Sequence, residues 1–375
     1  MALTDTNLGG MEPAELEAFF ADLGEPRYRA TQVFRRIHHH RARALDEWSE
    51  LPLGLRARLA SAGVVDRLEV VERARGEDGT EKVILALPAV SLGDARGKSG
   101  PSGAREIEAV WIPGGDRRTV CISSQVGCSL DCSFCATGTL RFRGNLEPWQ
   151  IVDQVYALER LRGERASNVV FMGMGEPFHN YERVMRAAHL LHHPEGAHLG
   201  ARHITISTAG VTPGVERFTA EKEPWNLAIS LNHPDPEARA VIMPITVRHP
   251  LPELLDAARR YTVERRRRIT FEYVMMPGVN MGRREVEQLT AIGRSMRCKI
   301  NLIPLNTAPE ASSGGRAAPA MPAAISGSRR PTAEEAHSFH RALVDAGLQV
   351  FDRGSPGREV EGACGMLALR RMTTR

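Results

Sequence analysis

From about residue 119 onward, short apolar segments alternate with longer segments of helical periodicity, and this alternation is the strongest constraint on the fold. The apolar segments have the length and the β-branched content of strands. They are Thr119–Ser124, Asn168–Met172, His203–Ser207, Asn226–Leu231, Ile269–Met275, Cys298–Ile303 and Leu348–Phe351. Helical patterns lie between them, for example Trp149–Leu161, Leu251–Val263 and Arg283–Met296. Such alternation predicts an α/β fold with a parallel sheet, open or closed into a barrel, whose chemistry lies at the carboxyl ends of the strands.

The first 112 residues have a different organisation. Residues 1–75 show helical spacing, as at Leu16, Phe19, Phe20 and Leu23, and predict a helical accessory domain. Residues 76–112 predict a β-hairpin and linker, since two apolar segments flank the turn pair Asp78-Gly79. Residues 113–375 are expected to form the catalytic core, with a functional segment near its C-terminus. The stretches 91–105 and 309–331 are rich in Gly, Ser, Ala and Pro and are expected to be loops.

Composition and charge indicate a soluble globular protein. Hydrophobic residues make up 42% of the chain and charged residues 25%. The N-terminus lacks the pattern of a signal peptide, and no stretch approaches the roughly 20 consecutive apolar residues of a membrane span. We therefore expect a cytoplasmic protein with reduced cysteines. The net charge of +4 permits RNA binding through local patches. Candidate patches are Arg35, Arg36, Arg41 and Arg43, and the run 265–268; each could equally be an ordinary exposed surface.

Three of the six cysteines lie within eight residues, in the pattern CxxxCxxC formed by Cys128, Cys132 and Cys135. Structural zinc normally takes four protein ligands, and this loop contains no fourth cysteine and no histidine. Thiolates are also the standard ligands of iron–sulfur clusters. A cluster with one iron left open to a small molecule therefore fits the pattern best, and a zinc-binding module remains the alternative.

The cysteine pattern, in the first loop of a β/α repeat and with Phe134 before its last cysteine, resembles that of the radical S-adenosylmethionine (SAM) enzymes. The resemblance implies a partial (β/α)6 barrel and a [4Fe-4S] cluster whose fourth iron is chelated by SAM. It also implies an electron donor, such as flavodoxin or ferredoxin, and cleavage of SAM to a 5′-deoxyadenosyl radical. The segment FMGMGEP supports this interpretation, because glycines at a strand end let a ligand approach the backbone.

Further motifs resemble one family within these enzymes, the RlmN/Cfr family, which methylates adenine carbons in RNA. The motifs occur in order along nearly the whole chain. They are CISSQVGCSLDCSFCATG, NVVFMGMGEP, ITISTAGVTPG, LAISLNHPD, EYVMMPGVN, CKINLIPLN and EGACGMLA. The resemblance implies an enzyme that methylates an adenosine, at C2 by our expectation, in 23S ribosomal RNA and in some tRNAs. The alternatives are methylation at C8 or a non-RNA substrate. We expect a monomer.

The resemblance also implies catalytic roles for Cys364, Cys121 and Glu108. Two SAM molecules serve each turnover: one methylates Cys364, and the second supplies the radical that removes hydrogen from that methyl group. The resulting carbon radical adds to the adenine and joins the protein covalently to RNA. Glu108 then accepts a proton, and Cys121 releases the product by closing a transient disulfide with Cys364.

The implied SAM contacts follow the ends of predicted strands. They are Gly175, Glu176, Ser207, Ser230, Leu231, Asn232 and Asn306. The chain departs from the family pattern at Asn232, where histidine is usual. It also departs after the cluster loop, where Arg141 replaces a common glycine and Gly144 a common arginine.

Overall fold

The computed structural model describes residues 7–42, 45, 48–62, 67–88, 105–306 and 328–367. Arg43 and most of the two expected loops, 91–105 and 309–331, lie outside the described residues. No helix among the described residues is long and apolar enough to cross a membrane.

The described strands and helices follow the predicted alternation closely. The strands are β1 (Glu69–Arg75), β2 (Glu81–Ala86), β3 (Glu106–Gly114), β4 (Arg117–Cys121), β5 (Gln125–Val126), β6 (Gly144–Asn145), β7 (Asn168–Phe171), β8 (Ile204–Thr208), β9 (Asn226–Ser230), β10 (Ile269–Met275), β11 (Cys298–Pro304) and β12 (Val350–Asp352). The α-helices are α1 (Pro13–Asp22), α2 (Tyr28–His38), α3 (Leu53–Ala62), α4 (Pro148–Arg162), α5 (Tyr181–His192), α6 (Thr212–Ala220), α7 (Pro236–Ile242), α8 (Ile245–Arg248), α9 (Leu251–Glu264), α10 (Arg283–Ser295) and α11 (Ala333–Asp345).

The predicted parallel sheet is confirmed. Strands β4, β7, β8, β9, β10, β11 and β12 lie side by side in that order, and each pairs in parallel with the next. Strands β1 to β3 extend this sheet beyond β4 by antiparallel pairing. Among the described strands β1 and β12 are the two outer members, so the sheet does not close. Its parallel strands all end at one edge, which gathers the loops that follow them.

The central strands are buried on both faces because helices follow them in the chain. In β10 the apolar side chains of Ile269, Phe271 and Tyr273 are fully buried. Their neighbours Thr270 and Glu272, which point to the opposite face, are also buried. Burial of both faces is typical of parallel strands in α/β proteins.

The N-terminal helices are held against α4 by polar contacts inside an apolar interface. The His38 ring and the Tyr156 hydroxyl lie 3.0 Å apart. Arg41 donates from Nε to Glu159 at 2.7 Å, and both side chains are buried. The Leu68 amide donates to Asp153 at 2.7 Å. Helix α4 is therefore the element that joins the N-terminal region to the sheet.

The predicted turn at Asp78-Gly79 joins β1 to β2 as an antiparallel hairpin. Gly79 has φ +77°, a conformation that glycine adopts at little cost. Next to the hairpin, Lys82 on β2 and Glu108 on β3 form a buried ion pair with a nitrogen–oxygen distance of 2.9 Å. Both side chains are almost completely inaccessible to solvent, so the two charges compensate each other where water does not reach.

Replacing Lys82 by methionine should lower the free energy of unfolding by about 3–5 kcal/mol, because Glu108 then loses its buried cation. The double variant Lys82→Met/Glu108→Leu, which removes both charges, should recover most of that loss. Urea unfolding of the two variants measures the difference. Equal stability of Lys82→Met and the wild type would show that the pair is unimportant for folding.

His38 should make the protein sensitive to acid. Burial, together with the nearby charges of Arg67 and Arg41, holds the pKa of His38 well below its usual range. Between about pH 6.5 and that lowered value only the unfolded state takes up the proton, so stability falls as pH falls, by up to about 1.4 kcal/mol per pH unit. His38→Asn should remove this part of the pH dependence in urea unfolding. An unchanged slope below about pH 6.5 would contradict the assignment.

Candidate active site

A deep cavity lies at the edge of the sheet where the parallel strands end. It encloses about 970 Å³ of space, including its mouth. Most of the residues implied by the sequence resemblance line it. They are Cys128, Cys132, Cys135, Gly175, Glu176, Ser207, Ser230, Asn232, Asn306 and Cys364. The cavity therefore joins the cysteine loop, the ends of several strands and the C-terminal segment in one place.

The three cysteines of the loop face this cavity from one side. The loop turns tightly, since the Cys135 amide donates to the Cys132 carbonyl at 3.1 Å and the Gly138 amide donates to the Cys135 carbonyl at 3.0 Å. Burial raises the pKa of each thiol, that of Cys128 to about 12. Burial thus disfavours the charged thiolate, and a bound metal would offset this effect, because its positive charge replaces the proton on a coordinating thiol.

The donor set fits a [4Fe-4S] cluster. Such a cluster takes thiolate ligands, which these three cysteines would supply. The loop is also closely packed, because a Cβ on Gly138 would lie 3.1 Å from the Cys132 carbonyl oxygen.

The glycine-rich segment after β7 lets its backbone approach the segment that precedes the cysteine loop. A Cβ on Gly173 would lie 2.7 Å from the backbone of Ile122, and one on Gly175 would lie 2.6 Å from the Gln125 side chain. Gly175 has φ +99°, which side chains rarely allow. Larger residues at either position would push the two segments apart.

Glu176 projects a buried carboxylate into the cavity. Its two oxygens accept hydrogen bonds from the amides of Phe178 at 2.9 Å and Ala209 at 2.7 Å. Burial raises the pKa of Glu176 to about 7, although these amides oppose the shift. A cationic group of a ligand bound nearby would lower the pKa of Glu176 again and so favour its charged carboxylate.

Asn232 supports the end of β10 as well as lining the cavity. Its Oδ1 accepts from the Val274 amide at 2.9 Å, and its carbonyl accepts from Asn280 at 2.7 Å. Its φ of +55° lies in the left-handed region, which asparagine and histidine both tolerate better than most residues, so the backbone here accepts either one. Leu231, by contrast, is fully buried and does not line the cavity. Its amide donates to the Glu272 carbonyl at 3.0 Å.

Arg239, which the sequence analysis did not select, organises the strand ends around the cavity. Its guanidinium donates to the carbonyls of Leu231 at 2.9 Å, Ser230 at 2.9 Å and Ala209 at 2.7 Å, and to the Thr246 hydroxyl at 2.6 Å. Burial lowers the pKa of Arg239 to about 10, so the group stays charged at neutral pH. No pattern in the sequence distinguishes this arginine from the others.

Cys364 lies at the junction of the main cavity and a smaller one. The smaller cavity is also lined by Cys121, Met172 and Arg353. The position of Cys364 is fixed from both sides: its carbonyl accepts from Asn306 at 3.1 Å, and the next carbonyl, of Gly365, accepts from the Ala136 amide at 2.8 Å. Burial, and next the charge of Cys364, raises the pKa of Cys121 to about 12.

Arg353 and Glu272 are functional-site candidates that the sequence analysis missed. Arg353 lines both cavities and donates to Glu272 at 3.3 Å. Burial opposes its charge, but the negative charges of Cys364, Glu272 and Cys121 together raise the pKa of Arg353 above its usual value. A partly buried cation thus lies beside both cysteines. One signal existed in the sequence, because Glu272 interrupts the otherwise apolar core of the β10 segment.

Glu108 lies on the same face of the antiparallel strands as Cys121, because Val110, two residues further along β3, pairs with Cys121. It lines neither cavity and is fully buried against Lys82. The structure therefore brings Cys121 and Cys364 together and leaves Glu108 beneath the surface of the site.

Comparisons with known proteins agree with this architecture. Residues 122–289 match the family model of the radical SAM superfamily, and residues 6–65 match that of the ribosomal RNA large subunit methyltransferase N-terminal domain. A crystal structure of a radical SAM methyltransferase from Sphaerobacter thermophilus superposes with a TM-score of 0.85. It is 37% identical, and the match covers 96% of this chain and 99% of that one. The α/β radical SAM fold expected from the sequence is thereby confirmed.

Curated relatives match over nearly their full length. A probable dual-specificity RNA methyltransferase RlmN from Leptospira biflexa is 47% identical, with 97% of this chain and 96% of the relative covered. A protein of the same description from Moorella thermoacetica is 40% identical, with 97% of each chain covered. The chain therefore belongs to the RlmN family of radical SAM methyltransferases.

Proposed function

We propose that this enzyme methylates C2 of an adenosine in RNA, with Cys364 as the carrier of the methyl group. The observation that carries the proposal is the position of Cys364, between the cavity of the three loop cysteines and the smaller cavity of Cys121. The relatives are described as dual-specificity RNA methyltransferases, which supports 23S ribosomal RNA and tRNA as substrates. Both are encountered in the cytoplasm, and we propose that the enzyme acts there as a monomer.

The loop cysteines would hold the [4Fe-4S] cluster, and the polar residues at the strand ends would hold SAM. With an electron from a donor such as flavodoxin or ferredoxin, the bound pair supplies a 5′-deoxyadenosyl radical. Glu176, whose carboxylate lies in the cavity, would bind the ammonium group of SAM. Ser207, Ser230 and Asn306 would orient the remainder of the molecule.

Cys364 would accept the methyl group of one SAM as a thiolate and lose a hydrogen from that methyl group when a second SAM is cleaved. The guanidinium of Arg353, which lines the smaller cavity with both cysteines, partly opposes the effect of burial on the pKa of Cys121. After the methylene carbon has bonded to adenine, the adduct would lose a proton and give up its unpaired electron to the enzyme's electron-transfer partner. Attack by Cys121 on the sulfur of Cys364 would then form the disulfide and break the bond between that sulfur and the methylene carbon, which takes up a proton to become the methyl group of the released RNA.

Glu108 would accept the proton that the adenine carbon loses. Because it is fully buried beside Lys82, this step requires the residues above it to move when RNA is bound. Lys82 compensates the charge of the carboxylate before the proton arrives.

Replacing Cys121 by alanine should accumulate protein covalently bound to RNA in cells, because the disulfide that releases the product cannot form. Cys364→Ala should accumulate none, since it lacks the carrier. Cys298→Ala is a matched control, because Cys298 begins β11 at the opposite edge of the sheet. Mass spectrometry of nuclease-treated protein should find a nucleotide on Cys364 of the Cys121 variant. The position of the modified carbon on this nucleotide distinguishes methylation at C2 from methylation at C8. The sequence of the attached RNA identifies the substrate.

The absence of a nucleotide on Cys364 in the Cys121→Ala variant would contradict the covalent route. A product formed equally well by Cys364→Ala would indicate a radical SAM enzyme with a different substrate.

Arg239→Met should weaken SAM binding at least tenfold and lower the melting temperature, because three carbonyls at the strand ends lose a charged donor. Arg239→Lys should recover only part of the loss, since an ammonium group cannot reach all of these acceptors at once. Equilibrium dialysis of the reconstituted enzyme measures SAM affinity. An unchanged affinity in Arg239→Met would show that the strand ends are held without this residue.

A further inference from the structure

An exposed aromatic residue flanked by two exposed arginines lies beside the cysteine loop. Phe142 is 46% exposed, and its neighbours Arg141 and Arg143 are also exposed. Neither guanidinium makes a hydrogen bond or an ion pair with any of the residues that the structure describes. We call residues 141–143 the RFR segment. Large exposed apolar side chains next to free cations are a feature of surfaces that bind nucleic acid.

The RFR segment is held firmly against the cluster-binding loop. The backbone of Arg141 forms a β-bridge with that of Cys128, and the Arg143 amide donates to the Val126 carbonyl at 2.9 Å. Strands β5 and β6 pair on its C-terminal side. Gly127, at φ +73°, permits this approach, because a Cβ there would collide with the Arg141 carbonyl oxygen. Its aromatic and basic side chains are therefore displayed by a fixed backbone.

The segment is also connected to the residues that position Cys364. The Leu140 amide, just before it, donates to the Thr137 carbonyl at 3.0 Å. The Thr137 hydroxyl in turn donates to the Leu367 carbonyl at 2.7 Å, and the neighbouring Ala136 holds Gly365. A nucleotide bonded to Cys364 would thus lie close to the RFR segment in space.

Most of the described arginines in the basic clusters that the sequence suggested for RNA are engaged within the protein, although Arg266 is exposed. Arg35, Arg36 and Arg41 form ion pairs with Glu195, Glu50 and Glu159, respectively. In the run 265–268, Arg265 donates to the Lys222 carbonyl at 2.8 Å and Arg267 to the Trp225 carbonyl at 3.0 Å. This run precedes β10 and so lies at the edge of the sheet opposite the cavity. The arginines of the RFR segment, in contrast, are free and beside the site.

We propose that the RFR segment binds the RNA next to the target adenosine, with Phe142 stacked on an unpaired base and Arg141 and Arg143 on the adjoining phosphates. The inference rests on the proposed function, because it takes RNA as the substrate. A base that enters the cavity has left its stack, which leaves neighbouring bases free to stack on protein. Stacking on an aromatic ring replaces the lost contact, and guanidinium groups bind phosphates without reading sequence.

The test measures binding of a fluorescein-labelled RNA hairpin with an adenine-containing loop to the anaerobically reconstituted enzyme. Arg141→Glu/Arg143→Glu should weaken binding at least tenfold. It should also reduce the slope of log affinity against log salt by about 1.4, as expected for two contacts to single-stranded phosphates. Phe142→Ala should weaken binding roughly 5- to 100-fold with the slope unchanged, and Phe142→Trp should retain it.

Matched controls separate a local effect from a general loss of charge or fold. Arg202→Glu/Arg297→Glu makes the same charge change at two exposed arginines that precede β8 and β11, at the opposite edge of the sheet. It should bind RNA as the wild type does. Arg141→Lys/Arg143→Lys should keep most of the affinity, and iron content should be the same in all variants.

Equal affinity in the wild type, the Glu pair at 141 and 143, and Phe142→Ala would overturn this inference while leaving the proposed function intact. Equal losses in the Arg202/Arg297 control would also overturn it, since the effect would then be general. A wild-type enzyme that does not bind the hairpin, together with a Cys121→Ala variant that accumulates no covalent RNA species, would overturn both the inference and the proposed function.

Discussion

Two hydrogen bonds to backbone carbonyls hold the C-terminal segment against the mouth of the sheet, and the proposed chemistry of the site depends on them. The Gly365 carbonyl accepts from Ala136, one residue after the last loop cysteine, and the Cys364 carbonyl accepts from Asn306, after β11. They tie a residue near the C-terminus to the cluster loop and to a strand end at once. Together with the bond from the Thr137 hydroxyl to the Leu367 carbonyl, they fix the position of Cys364 between the two cavities.

The parallel sheet makes this convergence possible. Its strands end at one edge, and the buried guanidinium of Arg239 bonds to carbonyls from the ends of β8 and β9. Arg353, just after β12, extends the same edge with a cation that faces Cys121 and Cys364. The antiparallel strand β3 carries Glu108 on the same face as Cys121, two residues from the residue that pairs with it. The residues proposed for the successive steps of the reaction thus lie on different elements, and the fold brings these residues together.

Local patterns predicted the elements and the cysteine loop well. The segment Ile269–Met275 is a strand with the predicted bounds, because its composition and its flanking helices specify it locally. The resemblance to known motifs also identified most of the residues that line the cavity, because these residues follow the ends of predicted strands. Contacts between distant segments could not be predicted in this way. The pairing of Lys82 with Glu108 depends on strand register, and that of Glu272 with Arg353 depends on how β10 and the segment after β12 meet. In the sequence, the run 265–268 could be taken for an RNA-binding patch. Only the three-dimensional structure shows that Arg265 and Arg267 donate to backbone carbonyls of the protein itself.

The most direct test of the account follows hydrogen between SAM and Cys364. The reconstituted, reduced enzyme is given SAM whose methyl group is fully deuterated, together with RNA, and the 5′-deoxyadenosine is analysed by mass spectrometry. If a methyl group on Cys364 lies beside the radical source, the 5′-deoxyadenosine will carry one deuterium. If the protein forms no iron–sulfur chromophore, or if the 5′-deoxyadenosine contains no deuterium, the central claim is wrong.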